Sequence, residues 1–276
     1  MPRRVSLFTV VAGLALAVTA SAVQAQAREE GKLLVASQVL EELRDSRDQL
    51  IPERLMERAY GIAVIPDLTK VAFFAGGRHG NGVMVVRNKD GRFTNPVFIT
   101  MTGGSFGWQW GVQKTDIVLV FTSRKGIEGI AGGKVTLGAD ASVAAGPVGR
   151  QASAATDASF KAEVYSYSRS RGVFAGLALD GTVLRIDDDA NEAFYKKSDV
   201  SANDIMTGAV ASNDDAVKRF NAAISTSTRG QQSASAAPVA RQAEASPAPA
   251  PAAPQQRSSA AQAFPLEDQH PGSEPK

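Results

Sequence analysis

The sequence predicts an α+β fold in which a strongly curved, mainly antiparallel sheet or small barrel has helices at both ends of the domain. Three observations predict it. Helical periodicity flanks a central region of short apolar and β-branched runs. Runs of strands bounded by helices, without regular alternation, are typical of the α+β class. Twenty of the 25 glycines lie between Gly61 and Gly181, which suits bulges and sharp bends better than a flat sheet.

The N-terminal part of the domain is predicted to be helical. In Glu29–Ser46, acidic residues occupy the first turn, and the apolar residues recur at helical spacing. These apolar residues are Leu33, Ala36, Leu40 and Leu43, with Val39 beside them. Such a stripe docks on a sheet or lies on a membrane, and the mixed charges of the polar face favour the sheet. A second short helix begins with Pro52 at its first position and ends at Gly61.

The central region is predicted to form strands. The predicted strands are Ile62–Ile65, Val71–Ala75, Val83–Arg87, Phe93–Met101, Ser105–Val112, Ile117–Thr122, Lys161–Arg169, Val173–Leu179 and Thr182–Ile186. Asn88–Gly91 predicts a hairpin turn, and Asp180–Gly181 predicts a turn between the last two strands. Period-two spacing places Phe106, Trp108 and Trp110 on one face of their strand.

Helices are predicted to return after the strands. They span Asp188–Lys197, Asp204–Thr207 and Asp214–Ile224. Asp187, Asp188 and Asp189 precede the first of them, and consecutive acids there are better explained as an N-terminal cap than as a calcium loop.

The two ends of the chain differ in composition from the domain between them. Residues 1–27 are predicted to be a cleaved signal peptide, because a basic pair at Arg3 precedes the apolar run Leu7–Thr19 and small residues. The chain has no cysteine, which excludes a lipoprotein signal and disulfides. We therefore expect a periplasmic or secreted domain over residues 28–225. Residues 226–276 are rich in Ala, Pro, Ser and Gln and predict a disordered tail.

Charge argues against nucleic-acid binding. Residues 1–27 contain two arginines and no acid, so the remaining chain has 28 basic and 28 acidic residues. A nucleic-acid-binding protein usually needs a clear positive excess to replace the counterions of the phosphate backbone. We therefore expect no nucleic-acid partner.

Catalytic and cofactor chemistry are poorly supplied. The predicted domain has one histidine, His79, and no cysteine, so a zinc cluster is excluded. His79 is interpreted as a loop residue that caps a turn. No Gly-x-Ser-x-Gly elbow is present. The segment Gly132–Thr136 lacks the spacing of a phosphate loop, and Gly103–Gly107 lacks the setting of a dinucleotide site. The sequence predicts a protein that is not an enzyme and has no cofactor or metal.

Basic residues among the glycines are the candidate site. Guanidinium and ammonium groups next to backbone amides in glycine turns can bind an anion. The candidate residues are Lys114, Arg124, Lys125, Lys134, Arg150, Arg169 and Arg171. The same residues could also be solvated charges that flank strands.

Across nearly all of Arg28–Gly208, the sequence resembles the SYLF domain family. The segments that carry the resemblance are Gly61–Pro66 with Lys70, Gly77–Gly82, Gly103–Gly111, Thr115–Val120, Leu137–Arg150, Tyr165–Gly176 and Asn191–Tyr195. The resemblance implies a non-enzymatic domain that associates with membrane lipids. In an exported protein, the expected partner is a phospholipid or another envelope lipid at a membrane surface. The alternative is a structural or protein-interaction module of the envelope that residues 226–276 tether.

Overall fold

A computed structural model describes residues 7–45, 51–72, 75–106, 111–148, 160–170 and 173–228. The predicted tail from residue 229 onwards lies outside these ranges. The helices are α1 Leu7–Asp45, α2 Glu53–Glu57, α3 Arg124–Ala131, α4 Asp188–Tyr195, α5 Ala202–Met206 and α6 Asp215–Thr228. The strands are β1 Gly61–Ala72, β2 Ala75–Val86, β3 Val97–Phe106, β4 Gly111–Phe121, β5 Lys134–Thr136, β6 Val143–Ala145, β7 Val164–Ser170, β8 Val173–Gly176 and β9 Thr182–Ile186.

The strands form one mixed sheet that curls into a half-barrel. Their order across the sheet is β5-β9-β3-β2-β1-β4-β7-β6, and β8 pairs with β7. All pairs are antiparallel except β6 with β7. With helices at both ends, this architecture confirms the predicted fold class.

Each face of the sheet is covered by a different set of helices. The α1 face carries residues such as Ile62, Val64 and Val118, which pack against α1, α4 and α6. The α3 face carries alternating residues such as Ala63 and Ile65, which pack against α3 and α5. Because side chains of a strand alternate between faces, the two cores follow directly from the period-two pattern.

Helix α1 is longer than the predicted helix, since it begins at Leu7 and ends at Asp45. The whole predicted stripe is buried on the sheet and on α6, which confirms docking on the sheet over exposure to a membrane. The helix includes most of the predicted signal peptide, and cleavage of that peptide stays a prediction. In the described part of the chain, no helix is both long enough and apolar enough to span a bilayer.

Strand β1 joins the predicted strand Ile62–Ile65 to the start of the predicted strand Val71–Ala75, and β2 extends the predicted strand Val83–Arg87 back to Ala75. The break predicted after Ile65 is a bulge, where β1 has one more residue than β4 and Asp67 has φ +52°. His79, interpreted as a loop residue, lies exposed in β2. The predicted C-terminal Gly61 of α2 is wrong too, because Gly61 opens β1 opposite Val86.

The predicted strand Ser105–Val112 is wrong because β3 ends at Phe106 and β4 begins at Gly111. Trp108 and Trp110 of the predicted aromatic face lie outside the described residues. The predicted turn at Asp180–Gly181 is confirmed, with Gly181 at φ +72°, but the strands on its two sides are not neighbours in the sheet. β8 pairs with β7, whereas β9 lies between β3 and β5, so Asp180–Gly181 joins distant parts of the sheet.

Other local predictions are confirmed. Asn88 accepts hydrogen bonds from the amides of Asp90 and Arg92 at the predicted turn. Asp187 caps α4 by accepting from the amide of Ala190. Helix α3 and strands β5 and β6 were not predicted, and the last helix extends four residues beyond its predicted end, to Thr228.

Candidate functional site

The seven predicted cations do not form one cluster. Lys114 lies on the inner strand β4, whereas Lys134 lies on the edge strand β5, with β9, β3, β2 and β1 between them. Arg124 and Lys125 begin α3, at the end of β4 where that strand finishes. Arg150 and Arg171 lie outside the described residues. The structure thus separates the five described cations into three regions, and their role as a binding site stays a prediction.

Several of these cations have partners within the domain. Arg169 forms ion pairs with Asp116 of β4 and with Glu42 of α1, so it joins α1 to the sheet. Lys125 lies 3.7 Å from Glu163, and Lys114 lies 4.0 Å from Asp67. Because exposed pairs contribute at most about 1 kcal/mol, Lys114 and Lys125 remain available to an anion. Arg169 is better explained as a structural residue.

One end of the sheet has a row of exposed positions on the α1 face. Val112, Val71, Gly77 and Gly104 lie opposite one another on β4, β1, β2 and β3. We call these four residues the outer row. Val112 is 67% exposed and Val71 is 40% exposed. α1 covers the other end of this face, so the outer row presents two adjoining apolar side chains to solvent.

A second row occupies the α3 face at the same end of the sheet. It consists of Gln113, Lys70, Arg78, Gly103 and Thr182, on five neighbouring strands. We call these five residues the polar row. It borders the apolar core directly, because the next positions inward include the buried Leu68 and Met101. On β1 the α3 face therefore changes from apolar at Leu68 to cationic at Lys70 within two residues.

Arg78 lies across Gly103. A Cβ at Gly103 would stand 3.3 Å from Cγ of Arg78 and 3.1 Å from Oγ1 of Thr182. The guanidinium donates through Nη2 to the carbonyl oxygen of Gly104, at 3.2 Å. Burial lowers the pKa of Arg78, although an arginine still keeps its proton at physiological pH. Glycine at position 103 is what allows the side chain to lie flat on β3.

The described residues offer little for metal binding or general acid–base catalysis. They contain no group of three histidine or carboxylate side chains that could hold a metal ion. Burial raises the pKa of Tyr167 and of Tyr195. The hydroxyl of Tyr195 donates to the carbonyl oxygen of Pro96, so this phenol is a packing residue with a satisfied hydrogen bond.

A comparison with protein families matches residues 102–214 to the family described as "Ysc84: Las17-binding protein actin regulator". The matched range begins in β3 and ends just before α6. It includes Gly103, Val112 and Thr182 of the two rows. Relatives in the family are 31–41% identical to this chain over 151–191 residues.

This chain carries a Ysc84/SYLF family domain. Protein YSC84 of Saccharomyces cerevisiae is 41% identical over 54% of this chain and 32% of its own length. LAS seventeen-binding protein 3 of the same organism is 39% identical over 59% of this chain and 36% of its own length. SH3 domain-containing YSC84-like protein 1 of Xenopus laevis is 31% identical over 69% and 56%.

The chain thus spans about a third to just over a half of the length of these relatives. The description of the family names Las17 binding and actin regulation, and the name of LAS seventeen-binding protein 3 describes binding to LAS seventeen. The match agrees with the resemblance found in the sequence. Arg78 was not among the candidates predicted from the sequence, where its signal is a lone arginine inside the glycine-rich segment Gly76–Gly82.

Proposed function

We propose that this Ysc84 domain associates with the surface of anionic bilayers through the end of the sheet that carries the outer row. The supporting observation is the cross-strand pair of Val71 and Val112, which is exposed on the same face of the sheet as the cationic side chain of Lys114. Single exposed apolar residues are ordinary on a protein surface. An adjoining apolar pair next to an exposed cation has the chemistry of a bilayer interface, where acyl chains lie under anionic headgroups.

The expected association is weak and reversible. Full burial of a valine side chain contributes about 1.5–3 kcal/mol, and these two valines are already partly covered. Each lysine or arginine near an anionic surface adds about 1 kcal/mol. The electrostatic part falls with ionic strength, because salt screens exposed charges over about 10 Å at 0.1 M. We therefore expect binding that increases with the anionic lipid fraction and decreases with added salt.

The competing surface is the outward side of α1. Leu34 and Val35 are each 43% exposed there. They are neighbours along the helix, and the stripe that an interfacial helix would insert is already buried against the sheet. The two surfaces are distinguished by matched substitutions of valine by aspartate.

The test is co-sedimentation of the purified chain, with its N-terminus determined by mass spectrometry, with vesicles of phosphatidylglycerol and phosphatidylcholine. Val112→Asp should reduce the bound fraction at least about fivefold, because it introduces a charge into the proposed interface. Val35→Asp is the control and should leave the bound fraction unchanged. Loss of binding in Val35→Asp alone would place the interface on α1. Binding that neither substitution changes, or no binding by the parent chain, would contradict the proposal.

We further propose that the domain meets this lipid in the bacterial envelope, as a periplasmic or secreted protein. The support is the basic and apolar pattern of residues 1–27, with its small-residue cleavage positions. Expression of the chain in a bacterial host should yield a periplasmic or secreted protein that begins at residue 26 or residue 28. A cytoplasmic protein that retains residue 1 would contradict this proposal without affecting lipid binding.

Protein binding is the second candidate, because relatives carry names that describe binding to a protein partner. In this chain the proline-rich residues 226–276 would act as the tether. Affinity capture from envelope extracts, with the full chain and with a chain that stops at Thr228, separates the two functions. Defined partners lost only with the shorter chain would favour a tethered interaction module.

A further inference from the structure

Two buried polar atoms without partners lie beside Gly103. The side-chain Nε of Arg78 and Oγ1 of Thr182 are both shielded from solvent and form no hydrogen bond within the described residues. Thr182 is fully buried. A buried donor without a partner costs about 1–3 kcal/mol. Two such groups flanking one glycine indicate that a hydrogen-bonding group from outside the protein belongs there.

The charges of the polar row point to an anion. Lys70 lies directly opposite Arg78 on the neighbouring strand. Like charges in this relationship destabilise a sheet. Neither cation forms an ion pair within the described part of the chain. The five residues of the polar row include no carboxylate, so these two positive charges have no compensating charge within the row.

We propose that Arg78, Thr182 and Lys70 bind one phosphate group over Gly103. Nε of Arg78 and Oγ1 of Thr182 donate to phosphate oxygens, and Lys70 supplies the second positive charge. Gly103 allows Arg78 and Thr182 to approach each other, since a Cβ there would meet both side chains. A phosphate group suits these donors because its oxygens accept several hydrogen bonds and it matches the charge of two cations. A bound water would satisfy the donors without compensating the charges.

The phosphate has two possible sources, a lipid headgroup or a free phosphate ion. The lipid source rests on the proposed membrane association, because the polar row and the outer row lie on opposite faces of the same strand ends. The free ion does not depend on it. One set of variants separates the sources, because Arg78 and Thr182 belong only to the proposed phosphate site and Val112 belongs only to the proposed membrane surface.

The first arm is titration of the full chain with inorganic phosphate at constant ionic strength, followed by the NMR signal of the Arg78 Nε–H. This signal is assigned from its loss in Arg78→Gln. Arg78→Gln and Gly103→Ala should each raise the phosphate Kd at least about tenfold, and Thr182→Val about three- to tenfold. Arg185→Gln is the control, because Arg185 is exposed on β9 outside the polar row. It should change the Kd less than about twofold.

Thr182→Val also separates a binding role from a structural one. Valine has nearly the same shape as threonine and removes the unpaired hydroxyl, so the melting temperature of the free protein should stay the same or rise. A structural role alone would change the melting temperature without changing the phosphate Kd, and that result would overturn the proposal.

The second arm replaces free phosphate with vesicles of phosphatidic acid and phosphatidylcholine. If Arg78→Gln and Thr182→Val reduce vesicle binding and free phosphate gives no response, the result would support the phosphate site and identify a lipid as the source of the phosphate. If Val112→Asp abolishes vesicle binding but Arg78→Gln and Thr182→Val leave it intact, the result would overturn the proposed phosphate site and be consistent with the proposed membrane association. No response of the Arg78 Nε–H signal to either phosphate source would also overturn the proposed phosphate site.

Discussion

At the residue scale, Gly80 and Gly82 of β2 allow the bulged part of β1 to lie close to its neighbour. A Cβ at Gly80 would stand 2.8 Å from Cδ1 of Leu68. A Cβ at Gly82 would collide with the carbonyl oxygen of Val64 and stand 2.7 Å from Cγ1 of Ile65. The bulge and the two glycines therefore depend on each other, and neither is an isolated feature of its strand.

Gly82→Ala should destabilise the domain by about 1–3 kcal/mol, because the new methyl group meets backbone atoms that cannot move independently. The measurement is the free energy of unfolding from urea denaturation. Gly104→Ala is the control, since a Cβ there meets nothing within 4 Å, and it should change stability by less than about 0.5 kcal/mol. Equal effects of the two substitutions would contradict the packing role of Gly82.

Asn191 joins α4 to β3 from a fully buried position. Its side-chain oxygen accepts from the amide of Phe98 at 2.9 Å, and its nitrogen donates to the carbonyl oxygens of Phe98 and Asp187. Asn191→Ala should lower the free energy of unfolding by about 2–4 kcal/mol, because it leaves the buried Phe98 amide unpaired and opens a cavity. Urea denaturation measures this change, and a loss below about 1 kcal/mol would show that water replaces the amide group.

Single residues also show where prediction from sequence ends. Asp187 was identified as a cap because capping depends on neighbours within three residues. Arg78 was missed because its importance depends on the register of β2 with β3 and of β3 with β9. That register brings Thr182 next to Gly103 across 79 positions of sequence, and no local pattern encodes it.

At the element scale, α1 and α6 pack together on the α1 face of the sheet. The stripe of α1 was predictable because its periodicity is local. Phe220 of α6 is among the largest fully buried side chains. Phe220→Ala should therefore destabilise the domain by about 3–5 kcal/mol in urea denaturation. Lys218→Ala on the exposed side of the same helix should have an effect below about 0.5 kcal/mol, and similar losses for both would contradict the packing of α6.

Glu163 holds the start of β7 to the residue that precedes β6. Its carboxylate accepts from the Ser142 amide at 2.9 Å and lies near Lys125. The bond from the Ser142 amide is the main reason that the pKa of Glu163 lies below its usual value of 4.5. A lowered carboxyl pKa stabilises the fold above that value, and this contribution disappears as pH falls through the folded-state pKa.

Glu163→Gln should therefore reduce stability at pH 7 and flatten the loss of stability below about pH 4.5. The measurement is the free energy of unfolding at a series of pH values for the parent and the variant. Parallel curves over the acidic range would contradict the assignment of this carboxylate.

Helix α3 was missed because its glycines lower the local helix propensity. A Cβ added at Gly126 would stand 3.3 Å from Cδ1 of Phe121, and one added at Gly129 would stand 3.2 Å from Cγ2 of Val135. Tertiary packing therefore decides this helix, and small residues are needed where it approaches the sheet. The same holds for the short strands β5 and β6, which are defined by their partners.

At the scale of the whole molecule, the sheet brings distant segments to one end of the half-barrel. Composition and glycine density were sufficient to predict a curved α+β domain. The strand order was not predictable, because β9 joins β3 and β6 runs parallel to β7. The outer row and the polar row both arise from this order, so the candidate surface was not visible in sequence as a cluster of cations.

Contact between the outer row and lipid can be tested directly, because the chain contains no cysteine. Single variants Val112→Cys and Val35→Cys are labelled with an environment-sensitive fluorophore and mixed with phosphatidylglycerol vesicles. The label at position 112 should shift to shorter wavelength on vesicle addition, while the label at position 35 should not change. A shift at position 35 with none at position 112 would contradict contact between the outer row and lipid.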